Sequence, residues 1–382
     1  MGHLISAAAV VDVDVDLEPG WVEVRDGTIV ASGTGAPPRR PDEHHDGILA
    51  PGLIDAQVNG AYGADFAAAT SDQWDRIVDG LPDSGVTAIA PTFITAPVDD
   101  LVEQLRAFRG HRERLSGRPG ATRLLGAHVE GPFISAACKG AHDEAFLVDP
   151  TPERVDALVE AGGADLGYVT LAPERAGALD AIARMAAAGV RVSIGHSDAD
   201  DATATRAVDA GATLVTHLYN AQRGLRHRDG GVVGVALTDP RLSVGLIADL
   251  HHVDPIALQV AFASAGGRIM LVTDNLSTFG MPPGRYELGG APVVLADGEP
   301  ARREDGTIAG AAVRLDACLA NVVRVAGVDV ATAVRAATTV PAVALGVPEL
   351  GTLAPGTPAD LVVLDPDELR VRATWIGGRR AG

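Results

Sequence analysis

A chain of 382 residues, 47% of them apolar, can bury a large core and is too apolar to be disordered; it suits one barrel plus a minor domain. A formal net charge of −19 excludes nucleic acid and anionic membrane surfaces as partners, because both select a basic face. It leaves room for a small anion held in a local positive pocket. The two cysteines, Cys138 and Cys318, form no C-x-x-C pair and suit a reduced, cytoplasmic setting. No apolar run approaches membrane-spanning length.

The chain opens on a small β-structure. Residues 4–11 are apolar without a basic lead, so they read as a strand and not as a secretion signal. Residues 11–16 alternate V-D-V-D-V-D, the period of a half-exposed strand. Residues 21–25 and 28–31 flank Asp26-Gly27, a hairpin signal. Residues 36–46, rich in proline and charge, read as loop. At the far end, 359–365 and 371–376 are strand-like, with a turn at Gly377-Gly378. Residues 1–50 and 346–382 are therefore expected to form one small β-sandwich from both termini, leaving 51–345 as the catalytic domain.

That central stretch repeats strand then helix. Candidate strands are 53–58, 86–93, 124–130, 166–172, 191–196, 213–217, 243–249 and 268–274. Helical spacing fills most of the gaps, as at 72–81, 98–108, 178–188, 200–210 and 255–265. Eight such strands predict an α/β fold closed as a (β/α)₈ barrel. No G-x-G-x-x-G follows the first strand, which weighs against an open dinucleotide-binding sheet.

Polar residues gather where these strands end. Strand 3 runs out at Glu130, strand 5 at His196, strand 6 at His217 and strand 8 at Asp274. Parallel barrel strands place all four at one rim, where barrel active sites are built. One carboxylate and two imidazoles give three protein ligands and leave a fourth position for water, the open arrangement of a catalytic zinc site. Asp274 would face the same mouth and take a proton from that water. A lone strand-end carboxylate is usually a helix cap or a surface charge; the joint pattern carries the reading.

Longer stretches extend it: APGLIDAQVNGAYG (50–63), GAHVEGPFIS (126–135), KGAH (139–142), IGHSDA (194–199), THLYNA (216–221), LIADLHHVDP (246–255), LVTD (271–274), TIAG (307–310) and LGTLAPGTPADLVVLD (350–365). With these the chain resembles the amidohydrolase superfamily and, within it, the N-acetylglucosamine-6-phosphate deacetylase family. The resemblance implies a homodimer that hydrolyses the acetamide of an amino-sugar phosphate, in amino-sugar catabolism and cell-wall sugar recycling. It implies one divalent metal per chain, zinc or in its place iron or another divalent ion, on Glu130, His196 and His217. The catalytic acid and base would be Asp274, with His142 polarising the carbonyl. Ala141, His142, Asn220, Ala221, Arg228, His252 and the stretch Ile308, Ala309, Gly310 would hold the substrate. On residue chemistry alone, Arg228 in RGLRHR reads as a solvated loop charge.

Departures from the family pattern also stand out. Many amidohydrolases carry H-x-H after the first strand for a second metal; here Gln57 and Asn59 occupy those positions. The family usually reads N-A-M after strand 6 and D-G-x-H after strand 7, where this chain has Asn220-Ala221-Gln222 and Asp249-Leu250-His251-His252. A related N-acetyl amino sugar, phosphorylated at galactosamine or unphosphorylated, is the alternative substrate. A two-metal amidohydrolase bridged by a carboxylated lysine loses ground, because no lysine follows the fourth strand. A non-catalytic sugar-phosphate sensor would have no need of Asp274.

Overall fold

The computed structural model describes residues 2–288 and 291–381. The chain enters through β1 (His3–Asp12), β2 (Val15–Arg25), β3 (Thr28–Thr34) and β4 (Glu43–Pro51). Asp26 and Gly27 form the hairpin their sequence predicts, both in the left-handed region (φ 50° and 80°). The V-D-V-D-V-D run, expected as one strand, is itself a hairpin: Asp12 pairs with Val15 across a turn at Val13 and Asp14. Alternation reads the same on either side of a two-residue turn, so the period alone does not locate the reversal. The loop expected over 36–46 also ends early, because β4 starts at Glu43 and runs parallel to β1.

Strands and helices then alternate. The strands are β5 (Leu53–Val58), β6 (Val86–Ile94), β7 (Ala127–Glu130), β8 (Leu166–Leu171), β9 (Arg191–Ile194), β10 (Leu214–Val215), β11 (Ser243–Leu246) and β12 (Ile269–Leu271). Between them lie α1 (Ser71–Gly80), α2 (Val98–Leu115), α3 (Pro152–Gly162), α4 (Ala178–Ala187), α5 (Asp201–Ala210), α6 (Gly231–Thr238) and α7 (Pro255–Ala265). Each strand pairs in parallel with the next. The ring closes where Asp274 N–H donates to Gln57 O at 3.0 Å and Asn59 N–H to Asn275 O at 2.8 Å. The architecture is the (β/α)₈ barrel. Every residue of β5 is buried, as expected of a strand with barrel interior on one face and helices on the other.

After β12, a hairpin of β13 (Gly284–Leu288), β14 (Ala291–Leu295) and β15 (Arg302–Arg303) packs Val293 and Ala301 onto Leu276 and Ala309 beside the barrel mouth. Then come α8 (Leu315–Ala326), α9 (Val330–Ala336) and α10 (Thr339–Leu345), followed by β16 (Leu361–Leu364), β17 (Val371–Ile376) and β18 (Arg379–Arg380). These last strands join the first four in a seven-stranded sheet, β18-β17-β16-β4-β1-β2-β3. The far edge folds back, with Ile29 N–H donating to Thr357 O at 2.9 Å and Gly356 N–H to Ile29 O at 2.7 Å. Inside lies a core of its own, with Ile5, Val22, Leu49, Leu361 and Trp375. No helix among the described residues is long and apolar enough to cross a membrane.

Candidate active site

Five barrel strands, β8 to β12, end one to three residues earlier than their sequence suggests, and at three of them the difference makes the site. β9 stops at Ile194, β10 at Val215 and β12 at Leu271. Past those ends, His196, His217 and Asp274 take left-handed backbone (φ 48°, 26° and 56°), which costs a non-glycine residue about 1–2 kcal/mol. Such turns swing each side chain off the sheet alternation and toward the barrel axis. The conformation is held from outside: Ser135 N–H donates to His196 O, Leu218 N–H to Gly245 O, and Asp274 N–H to Gln57 O. Strain kept by surrounding bonds is common where groups must be aimed.

The aimed groups converge. Glu130 Oε1 lies 3.2 Å from His196 Nε2 and 3.0 Å from His217 Nε2, and the two nitrogens are 3.1 Å apart. All three side chains are buried. Burial pushes the Glu130 carboxyl up, but hydrogen bonds and charge from both imidazoles outweigh it and hold it well below the usual range. The His196 ring donates through Nδ1 to Cys138 O at 2.9 Å, so its Nε2 carries a lone pair. That lone pair faces a carboxylate oxygen and a second imidazole nitrogen, an arrangement that repels unless a cation or proton sits among them. A divalent cation suits this donor set. Glu130, His142 and His196 also offer ligand atoms within 4.8 Å of one another, but the trio with His217 is tighter.

Asp274 stands beside them. Its Oδ1 accepts from Asn59 Nδ2 at 2.7 Å and Gln57 Nε2 at 3.1 Å; among the described residues Oδ2 accepts no hydrogen bond. Burial, then the Glu130 charge, pushes its carboxyl up to about 6. Gln57 Nε2 also donates to both Glu130 oxygens at 3.2 Å, so one amide bridges the two carboxylates. Sequence reasoning placed Gln57 and Asn59 as missing metal ligands and overlooked this bridge; their Q-x-N spacing on a strand end, which aims both at one face, was the available signal.

A cavity of about 490 Å³ opens over this floor, lined by Glu130, His142, His196, His217 and Asp274. Of the expected substrate contacts, Ala141, His142, Asn220, Ala221, His252, Ile308 and Gly310 line it as well. Two do not. Ala309 is buried behind the wall and its N–H donates to Ala301 O, while Arg228 is exposed on the loop after β10. His142 Nδ1 meets Thr95 Oγ1 at 2.8 Å, and burial pushes its imidazole down to about 3, so the ring is neutral. His252 Nδ1 donates to Asp249 Oδ2 at 2.7 Å. The same carboxylate accepts the His251 and His252 backbone N–H groups, which fixes the loop. Gln222 lines the cavity too, yet its amide is spent within its own loop, donating to Thr216 O at 2.7 Å and accepting from Tyr219 N–H at 3.2 Å. Asp249 and Gln222 brace their own loops, while Thr95 reaches His142 across 47 positions, a contact that no local pattern announces.

Residues 48–381 match the model of the amidohydrolase family. The chain belongs to that family. Its members are metal-dependent, and the buried Glu/His/His cluster is where this chain can hold a metal. The chain is 36% identical to an N-acetylgalactosamine-6-phosphate deacetylase from Escherichia coli O157:H7, with both chains covered in full. It is 40% identical to the N-acetylglucosamine-6-phosphate deacetylase of Bos taurus, over 87% of this chain and 82% of the relative. Among solved structures it resembles an N-acetyl-D-glucosamine-6-phosphate deacetylase mutant from Mycobacterium smegmatis in complex with N-acetyl-D-glucosamine-6-phosphate. That likeness has a TM-score of 0.93 at 34% identity and covers 100% of this chain and 99% of the other.

Proposed function

We propose that the chain is a metal-dependent deacetylase that hydrolyses N-acetyl-D-glucosamine 6-phosphate to D-glucosamine 6-phosphate and acetate, cleaving a linear amide C–N bond. The observation that carries this reading is the convergence of the His196 and His217 Nε2 atoms on one Glu130 oxygen, beside Asp274 in a sugar-sized cavity. Glu130, His196 and His217 would hold one divalent ion, zinc or in its place iron. A bound divalent cation supplies Lewis acidity, acidifying water and polarising a carbonyl. Among the described residues a second ion has no comparable donors beside the first, since Gln57 and Asn59 turn amide N–H groups toward the carboxylates.

Asp274 Oδ2 is the open base. It takes the proton of the attacking water while Asn59 and Gln57 hold Oδ1 still, and it returns that proton to the sugar nitrogen so that the amine can leave. His142, held through Nδ1 by Thr95 Oγ1 at 2.8 Å, would stabilise the oxyanion in the tautomer that carries its proton on Nε2. Asn220 spends its Nδ2 on the His217 and Leu218 carbonyls, which leaves Oδ1 for a sugar hydroxyl. His252, Ala221, the backbone at Ile308 and Gly310, and Arg228 reaching in from the rim would hold the phosphate end. A cytoplasmic homodimer suits such an enzyme.

The N-acetylgalactosamine 6-phosphate reading has one observation in its favour: the relative so named is matched over the full length of both chains. The two sugars differ only at one hydroxyl. Acetate release measured on both, with and without the phosphate, separates the readings. Turnover of N-acetylglucosamine 6-phosphate above the others is the expected result; preference for the galactosamine epimer would move the assignment there, and no acetate from any would remove it.

A further inference from the structure

A chain of buried hydroxyl groups and one imidazole threads the barrel interior beside the ligands. Thr92 Oγ1 accepts from Val58 N–H at 3.2 Å and meets His128 Nδ1 at 3.1 Å. His128 Nε2 meets Thr170 Oγ1 at 2.7 Å, Thr170 Oγ1 meets Thr216 Oγ1 at 2.7 Å, and Thr216 Oγ1 meets Ser193 Oγ at 2.6 Å. The path touches β5, β6, β7, β8 and β9 and the residue that follows β10. All five side chains are buried, and none lines the cavity. The His128 ring is stacked on Tyr168, centroids 3.9 Å apart, whose hydroxyl donates to Ala56 O at 2.5 Å.

Its members sit beside the metal-binding groups in sequence. His128 is two residues before Glu130, Ser193 is three before His196, and Thr216 immediately precedes His217. Gly195 makes the crossing possible: a Cβ there would lie 2.7 Å from Thr170 Cγ2 and 2.8 Å from Thr216 Cβ, so any side chain would push the two threonines apart. A neutral imidazole donates through one nitrogen and accepts through the other, so His128 gives the chain a single sense. Thr170 and Thr216 then each have one donor slot and one acceptor slot committed, and a strand that slides breaks a bond to its neighbour.

We infer that this chain of bonds, with Thr170 at its centre, positions Glu130, His196 and His217 for metal binding, and that Thr170 and His128 are positioning residues for the deacetylase site. The inference rests on the metal-site reading above. Thr170→Val removes the central hydroxyl and keeps the shape; Thr170→Ser keeps the hydroxyl. Metal-stripped protein is titrated with Zn²⁺ against a chromogenic chelator, the Co²⁺-loaded protein is examined by its visible absorption, and kcat and KM are measured separately. Thr170→Val should weaken Zn²⁺ binding about 10-fold or more, shift the Co²⁺ bands and lower kcat with KM little changed, while Thr170→Ser behaves as the parent. If Thr170→Val does not fold, Ser193→Ala cuts the chain at its end and is read the same way. Parental Zn²⁺ affinity and an unaltered Co²⁺ spectrum in the Val variant, even with a lower Tm, would overturn the inference. A parent protein that takes up no divalent ion would instead remove the metal-site reading on which it rests.

Discussion

The two ends of the cavity are built differently. Its floor is assembled from strand ends: Glu130, His196, His217 and Asp274 are packed within the barrel, and amides from Gln57 and Asn59 hold the carboxylates. The outer end depends on loops. There His252 is steered by Asp249, no arginine or lysine is among the lining residues, and Arg228 stands exposed nearby in sequence. Bond-making chemistry loses much of its rate to a misplacement of an ångström, so the rigid floor is the end suited to the chemistry proposed above. A phosphate can be met by a long guanidinium arm from a mobile surface, because charge attraction falls off gradually and the fork itself supplies the geometry.

Removing floor residues should therefore be all-or-none. His196→Ala or His217→Ala is expected to abolish both the bound metal and turnover, and metal analysis of the parent should give one ion per chain. Two tightly held ions would mean that Gln57 and Asn59 do not close the second position. Asp274→Asn should keep metal and fold but lose kcat by on the order of 10²–10⁴-fold, since an amide accepts no proton at that site. Near-parental kcat across pH would take the base role away from Asp274.

The outer end should respond by degree. Arg228→Ala and His252→Ala are each expected to raise KM for N-acetylglucosamine 6-phosphate by about 10-fold, the scale of one charge-assisted hydrogen bond. The slow reaction of the unphosphorylated sugar should be nearly unchanged. Equal losses on both substrates would make the residue structural. No loss at Arg228 would leave it in solvent, as its exposure and the arginine-rich loop alone suggest.

The same contrast governs what could be read from the chain. The barrel was legible because period and length repeat eight times, and the convergence at the floor because Glu130, His196, His217 and Asp274 each follow an apolar run. The hairpin at Asp26-Gly27 was legible through turn chemistry, while the reversal at Val13 and Asp14 was hidden by an alternation that ignores it. Gln222 looked like a specificity residue at the mouth, yet both ends of its amide close its own loop. Thr95 and the bonds through His128 and Thr170 join residues 36 to 47 positions apart, so only the folded barrel brings them together. Ala309 was grouped with its neighbours by sequence, whereas the turn faces it inward.

A gentler test compares two buried aspartates, one at each end. Asp55 lies below the floor, accepting from Thr273 N–H, Thr273 Oγ1–H and Gln57 N–H, and burial pushes its carboxyl up to about 7. Burial also pushes Asp249 up, but the His252 hydrogen bond and charge outweigh it and leave it below its ordinary value. The two should tilt stability in opposite directions. A carboxyl raised in the folded state contributes stability that is full below its unfolded value near 4 and is lost as pH climbs to about 7. Asp55→Asn keeps the acceptor for both N–H groups and can donate to Thr273 Oγ1, so it should remove that loss and gain on the parent by roughly 1–3 kcal/mol between pH 5 and 8. A carboxyl lowered in the folded state contributes stability above its unfolded value that is lost as pH falls through the folded one. Asp249→Asn should therefore destabilise most at neutral pH and progressively less on acidification. Denaturant unfolding of parent and variants from pH 4 to 8 reads both slopes. Parallel slopes for parent and Asp55→Asn would mean that Asp55 is ionised in the folded barrel, with the floor more polar than its burial implies.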